Sequence, residues 1–285
     1  MVNVPIQLKA DDQALLALVA RHRVVTRPAL RRFLPGHSEL DRQLRGLVDG
    51  GLICASRSLP GNRSAYQLTR KGATAAGAGE TVARRLGAQA LLKHLGVLCL
   101  CAEAPSERFR VEDDQAAAVI GAPCPEGVHV VVAEGDVPRL AWCYVPGVAT
   151  SLEAVTKRVR QHIYGVSGNP VLQQWVEDRR YVVAVVVDSA ARKRAIEKAT
   201  RSRDRRGREP VAKLAAVWVY HPAGMAELCG SIAPADAPAP KPLPGELWAT
   251  SGANADTTDM DPAPVSRKSR SRSQRKGHNP GQVPG

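Results

Sequence analysis

"SELDRQLRGLVDGGLICASRSLPGNRSAYQLTRKG", residues 38–72, changes periodicity twice in one short stretch. Leu40, Leu44, Leu47 and Val48 recur at i, i+4, i+7 and i+8, the spacing of one helical face. Gly50 and Gly51 end that helix. "LICASRS" and "SAYQLT" then read as strands, and "LPGNR" between them carries turn residues, so the pair is a hairpin with its loop at 59–63. At about 100° per residue, Ser38, Arg42, Arg45 and Asp49 fall on the side opposite the leucines. A helix with outward arginines is therefore followed directly by a hairpin bearing Arg57, Asn62 and Arg63 around its loop.

Two helices precede it. "DDQALLALVARH" (11–22) puts Leu15, Leu16, Val19 and Ala20 on one face behind first-turn acids. In "TRPALRRFLP", Thr26 stands as N-cap, Pro28 sits where a first turn tolerates it and Pro35 stops the helix. Three helices and a hairpin in this order describe a winged helix-turn-helix over residues 10–78. Such a unit presents its third helix to the major groove, where Arg42 and Arg45 could meet guanine edges or phosphates. Ser38 and Gln43 are secondary base or phosphate contacts, and His37 a phosphate contact at the helix start. Arg31 and Arg32 of the second helix and Arg57, Asn62 and Arg63 of the wing would hold the backbone. Taken singly, each arginine is equally well explained as part of a solvated face; the joint arrangement is what points to double-stranded DNA. Residues 1–75 carry twelve Lys/Arg against five Asp/Glu, so phosphate neutralisation would dominate the affinity.

The whole chain of 285 residues has a formal charge of +13, which favours an acidic partner. Aromatics are only 4%, too few for a platform that stacks single-stranded bases. No apolar run is long enough for a membrane span and "MVNVPIQLKADDQ" lacks the plan of a secretory signal, so the expectation is a cytoplasmic protein. The six cysteines sit mostly in apolar stretches, as reduced thiols do.

Beyond the hairpin, residues 79–104 read as a long connecting helix, either between domains or forming the seam of a homodimer. From 105 to 231, "VHVVV", "RLAWCYV", "YVVAVVV" and "KLAAVWVY" alternate with helical "SLEAVTKRVRQHIY" and "SAARKRAIEKA", an α/β unit with a mixed sheet. Thr150 and Glu153 fit a capping box, Asp188 or Ser189 fits a cap, and "VEDDQ" fits a helix start with first-turn acids. Residues 192–213 hold ten Lys/Arg against three acids, either a second DNA-facing surface or a solvated helix end and loop. The Pro/Ala-rich stretch from 232 to 285, with its basic "SRKSRSRSQRKGH", reads as a disordered tail that adds sequence-independent affinity.

"LRGLVDGGLICASRS" followed by "SAYQLTRKGATAAG" resembles the recognition helix, wing and Tyr-x-Leu-Thr-x-x-Gly close of plasmid replication-relaxation proteins and neighbouring winged-helix regulators. The resemblance covers about residues 10–220 and implies a connecting helix with His94, then a sheet domain of the restriction-endonuclease kind. It implies a DNA-binding regulatory or accessory protein, such as one carried on a mobile element. An active member of that nuclease fold needs one strand acid and an acid-x-Lys on the next strand to hold a divalent metal. "RLAWCYVPG" offers neither, and Glu126, Glu134 and Asp136 sit near strand ends where turns collect acids anyway. Cys99-x-Cys101 lacks the second pair a zinc site wants, and no nucleophile elbow or phosphate loop is present.

The expectation is thus an α+β chain, not an enzyme and without cofactor. It would bind duplex DNA as a homodimer for transcriptional control, and its nuclease-like domain would be free for a protein partner. The alternatives are a plasmid replication or mobilisation accessory and a divergent metal-dependent endonuclease.

Overall fold

The computed structural model describes residues 8–59, 63–133, 137–204 and 207–225, apart from the side chains of Arg57 and Ser58. The tail expected at 232–285 lies outside those residues, as do Asn62, Glu134, Asp136, Arg205 and Arg206. Helices and strands are mixed, an α+β chain. No helix among the described residues is long and apolar enough to cross a membrane.

Helix α1 (Ala10–His22) opens with Asp11 and Asp12 at the positive end of its dipole and buries Leu15, Leu16 and Val19. It stops at Arg23, whose left-handed φ of 67° turns the chain into β1 (Val25–Thr26). In α2 (Arg27–Phe33) the early proline fits the first turn; Thr26 occupies the N-cap, but its hydroxyl makes no capping bond. Helix α3 (Leu40–Asp49) buries Leu40, Leu44 and Leu47. They pack with Leu15, Leu16, Leu30, Ile53, Tyr66 and Leu68 in one core. Each buried leucine contributes about 1.5–3 kcal/mol, enough to fix the rotation of a helix of this length.

Strands β2 (Ile53–Leu59) and β3 (Arg63–Leu68) pair antiparallel out to Leu59 opposite Arg63, with a register shift after Ser56. β1 adds to the other side of β3, giving the order β1-β3-β2. The Leu-Thr-x-x-Gly stretch has a local job. The Thr69 hydroxyl accepts from the Gly72 N–H at 3.0 Å and caps α4 (Arg70–Ala75), while donating to the Gly51 carbonyl at 2.7 Å. Lys71 Nζ donates to the Gly50 carbonyl at 2.9 Å. The close of the hairpin is thereby tied to the end of α3.

A Cβ at Gly72 would stand 1.8 Å from the Leu52 carbonyl oxygen and 2.7 Å from its carbon, so the backbone itself would have to move. Gly72→Ala is expected to cost about 3 kcal/mol, the upper part of the overpacking range. It should lower the urea midpoint at unchanged m; a midpoint equal to wild type would show that this contact is slack.

The connecting segment is not one helix. A 3-10 turn (Glu80–Ala83) is followed by extended chain, and α5 (Ala88–Glu103) begins only after Gly87. Both apolar sides of α5 are occupied within the chain. Leu95, Leu98 and Ala102 enter the N-terminal core, whereas Val97, Leu100 and Cys101 pack on a second sheet. The apolar dimer seam expected at 79–101 is therefore used up internally.

That sheet runs β4-β5-β6-β7-β8. Strands β4 (Arg108–Val111), β5 (Val128–Val132) and β6 (Arg139–Tyr144) are antiparallel; β7 (Tyr181–Val186) and β8 (Ala216–Tyr220) then join parallel. Its other face carries α6 (Asp113–Ile120), α7 (Leu152–Val166), α8 (Pro170–Glu177), α9 (Ala190–Arg201) and α10 (Val211–Leu214).

The Thr150–Glu153 capping box is not formed: Ser151 caps α7 by accepting from the Ala154 N–H. Ser189 caps α9, and Glu112 with Gln115 forms the capping box of α6. Strand β4 and helices α8 and α10 add to the elements expected from sequence; α10 takes Lys213 and Leu214 from the expected last strand.

Arg110, on β4 and 6% exposed, joins the two halves. Its Nη1 donates to the His22 carbonyl at 2.7 Å and to His94 Nδ1 at 2.9 Å, linking α1, α5 and β4. Burial first, and the Arg110 charge second, holds the imidazoles of His22 and His94 down at about 3.

Candidate nucleic-acid interface

The leucine face of α3 turns Arg42 and Arg45 outward, and both are exposed. Neither side chain hangs loose. Arg42 pairs with Glu39 one turn back, and Arg45 Nε donates to the Asp41 carbonyl at 3.2 Å. The Asp41 carboxylate, which would repel phosphate if it pointed outward, lies against α2 instead. Its Oδ1 is 3.0 Å from Arg27 Nε and its Oδ2 is 3.5 Å from Arg31 Nη2. One acid thus sets the two helices together and is offset by two arginines.

Arg31, His37, Ser38 and Asp41 line a single cleft of about 460 Å³ between α2 and the start of α3. On the other flank of α2, Arg32 and Arg63 share a cleft of about 410 Å³ with Thr26 and Pro28, and Arg27 with Arg63 lines a smaller one of about 220 Å³ beside Tyr66. The fold therefore connects the base of the hairpin, through α2, to the turn before α3. Arg42 and Arg45 line none of these three clefts.

Two sequence expectations shift, and two positions lie wholly or partly outside what the structure describes. Ser38 and His37 belong to the turn before α3 and not to the helix face. Gln43, expected as a secondary base or phosphate contact, is half-buried, with Oε1 shielded and lacking a hydrogen-bond partner among the described residues. Asn62 lies outside the described residues, and for Arg57 only the backbone, in β2, is described.

The chain matches no family model, no curated protein and no solved structure.

The Arg42–Glu39 pair offers a direct test. Both partners are more than half exposed, so the pair is worth no more than about 1 kcal/mol. A polyanion on α3 has to displace Glu39 or tolerate its charge. Glu39→Gln is expected to raise affinity for duplex DNA about threefold to tenfold at low salt, measured by fluorescence anisotropy; weaker binding would mean that Glu39 holds Arg42 in its working position.

The α/β half carries a different cluster. Strands β5 and β6 present no carboxylate and no lysine. Glu126 is exposed, and its backbone carbonyl accepts the Trp142 Nε1–H at 3.3 Å. Among the described residues no group of three His, Cys, Asp or Glu is placed to hold a metal ion.

What fills the corresponding side of the sheet is a stack of rings. His162 of α7 lies on Trp142 with centroids 3.7 Å apart, and the Tyr181 hydroxyl is 2.8 Å from His162 Nε2. Burial lowers His162 to about 3 and raises the Tyr181 hydroxyl, so tyrosine donates and neutral imidazole accepts.

Beside the stack, Cys124 Sγ is 3.6 Å from His129 Nδ1 and 3.5 Å from Nε2, and Asp113 Oδ1 is 3.9 Å from Nδ1. Cysteine, histidine and aspartate in one place invite a nucleophile reading, which the geometry and electrostatics oppose. Near-equal distances to both nitrogens put sulfur off the lone-pair axis of either. Burial raises the thiol to about 11 and lowers His129 to about 4, so both are neutral, whereas an activated pair is thiolate and imidazolium. The sequence signal for this cluster was a polar ring at each apolar position: His129 within "VHVVV" and His162 on the buried side of α7.

Proposed function

We propose that this chain binds double-stranded DNA as a winged helix-turn-helix protein that regulates transcription, with α3 entering the major groove and the β2–β3 hairpin as wing. The observation that carries the reading is the outward Arg42–Arg45 pair on a helix whose opposite side is sealed by Leu40, Leu44 and Leu47. Support comes from the element order α1-β1-α2-α3-β2-β3 with β1 and β2 flanking β3, and from the arginines of α2 and β3 lining adjoining clefts. Arginine suits this role because its planar fork bonds guanine or phosphate in two places.

The α/β half supports a nuclease-like reading in its order: helix α5, three antiparallel strands, helix α7, then a parallel strand. With apolar and aromatic side chains on β5 and β6, its role in this reading is assembly or protein contact and not cleavage. A second copy belongs to the reading, since one recognition helix gives modest specificity and paired half-sites raise it. Its seam lies away from α5.

Titrating labelled duplexes over a salt series tests the proposal. Log affinity should fall linearly with log salt, with a slope near −5 if about six phosphates are neutralised. No binding at low salt, or a response flat in salt, would remove the reading.

A further inference from the structure

Among the described residues of the basic run at 192–213, Arg203 donates to the Gly207 carbonyl and the other cations fall into two sets. Arg192 turns back onto the chain, donating to the carbonyls of Gly147, Val148 and Thr150 at 2.7–2.8 Å. Lys193 lies 3.9 Å from Glu197, Arg208 bonds Asp204, and Lys213 lies 3.8 Å from Glu209. Arg194, Lys198 and Arg201 are the second set. They recur at i, i+4 and i+7 on the side of α9 opposite the buried Ile196 and Thr200, and all three are exposed. No acid among the described residues is paired with any of them.

A solvated helix face ordinarily interleaves its cations with acids at i+3 or i+4. Here Glu197, the one acid on α9, is turned aside to Lys193, and the rest of the outer face is Ala190 and Ala191. At about 1.5 Å per residue the three charges span about 10 Å along the axis, a row of like charge with no ion pair to an acid among the described residues. Small neighbours leave it open to a broad surface.

We infer that the outer face of α9 is a second phosphate-binding surface, and that it takes a duplex segment other than the one on α3. The inference rests on the DNA-binding reading above and extends it to a second site. The separation of the two sites follows from the layers. One face of the five-stranded sheet is covered by α5, which also enters the N-terminal core; the opposite face is covered by α7 and α9. The outer side of α9 faces away from the sheet, on the layer opposite to α5 and the N-terminal core, and one straight duplex is inferred not to serve both helices. The protein would bridge two duplexes, or two parts of one that bends back.

The test is a sandwich capture with the full chain. A short duplex is fixed to beads, protein is bound, excess is washed away, and a second, labelled duplex is offered. Wild type should hold the label. The variant Arg194→Gln/Lys198→Gln/Arg201→Gln, whose substitutions are exposed and keep good helix formers, should stay on the beads through α3 yet lose at least nine-tenths of the captured label. In solution wild type should bind a second copy of a short duplex with a salt slope of about −2.7, at about 0.9 per contact, and the variant should lose that second step and keep the first. Equal melting temperatures would show that the fold is intact.

Label captured by the variant at wild-type level overturns the inference and leaves the α3 reading standing, as does a wild type that stays on the beads but captures nothing. A variant that no longer stays on the beads also overturns it, because α9 would then be the primary surface. Wild type that never binds the beads removes the DNA-binding reading itself.

Discussion

Replacing Arg42 and Arg45 together by alanine is expected to weaken duplex binding roughly a hundredfold and to reduce the salt slope by about 2. Two arginines that each bond a base edge or a phosphate are worth about 1–3 kcal/mol apiece, so the combined loss is of that order. The fold should not notice. Both side chains are on the exposed face of α3, and their internal partners are the exposed Glu39 and a backbone carbonyl. Exposed pairs of this kind contribute about 1 kcal/mol at most, and alanine is a better helix former than arginine. Affinity should therefore fall while the thermal midpoint stays within a degree or two, a combination that a general loss of structure cannot imitate. Anisotropy titrations of wild type and variant over several salt concentrations read both quantities. Wild-type affinity and slope in the double variant would place the contact surface elsewhere, with the outer face of α9 as the next place to look.

Mild acid is the second condition with a large expected effect. His22, His94 and His129 are at most 6% exposed, and burial holds them at about 3, 3 and 4 against an ordinary value of 6.5. Below pH 6.5 the unfolded chain takes up protons that the folded chain refuses, so stability is full above that pH and falls as pH drops toward the folded values. Each such histidine costs about 1.4 kcal/mol per pH unit over that window. At about pH 5 the three together remove about 6 kcal/mol, comparable with the whole stability of an ordinary domain. His162, lowered to about 3 mainly by burial, acts in the same direction. Melting curves followed by tryptophan fluorescence should show a midpoint that is level from about pH 8 to 7 and drops steeply between about pH 6 and 5. A midpoint unchanged down to about pH 5 would mean that these rings are hydrated or already protonated in the folded protein.

The two expectations differ in how visible their causes were. The outward arginines could be read from spacing alone, since the leucines of α3 recur every three to four residues and the opposite face follows by rotation. The histidines could not. In the sequence His22 is the end of a helix and His94 one position of a connecting segment; burial between distant elements keeps them neutral first and the Arg110 charge second, through contacts that span 88 and 16 residues. Strand β4 is hidden in the sequence for the same reason. "RFRV" alternates like a strand, yet an arginine on its inward side reads as solvent-facing until the carbonyl that accepts from it is known. Helix α8 is short and signalled by Asn169 and Pro170, a cap and a first-turn proline that local spacing could have supplied.

Local periodicity by itself determined the rotation of α3, the ending of that helix at Gly50 and Gly51, the hairpin that follows and the mixed strands and helices beyond residue 105. Those features depend on neighbours within a turn or a strand, and burial of an apolar stripe fixes them wherever the stripe lands. Only the tertiary structure decided that Asp41 faces α2, that both sides of α5 are used within the chain, that Cys124 and His129 meet as neutral groups, and that three cations on α9 make no ion pair among the described residues. Each of those depends on which distant element packs nearby, and a short repeat of hydrophobic positions carries no information about that.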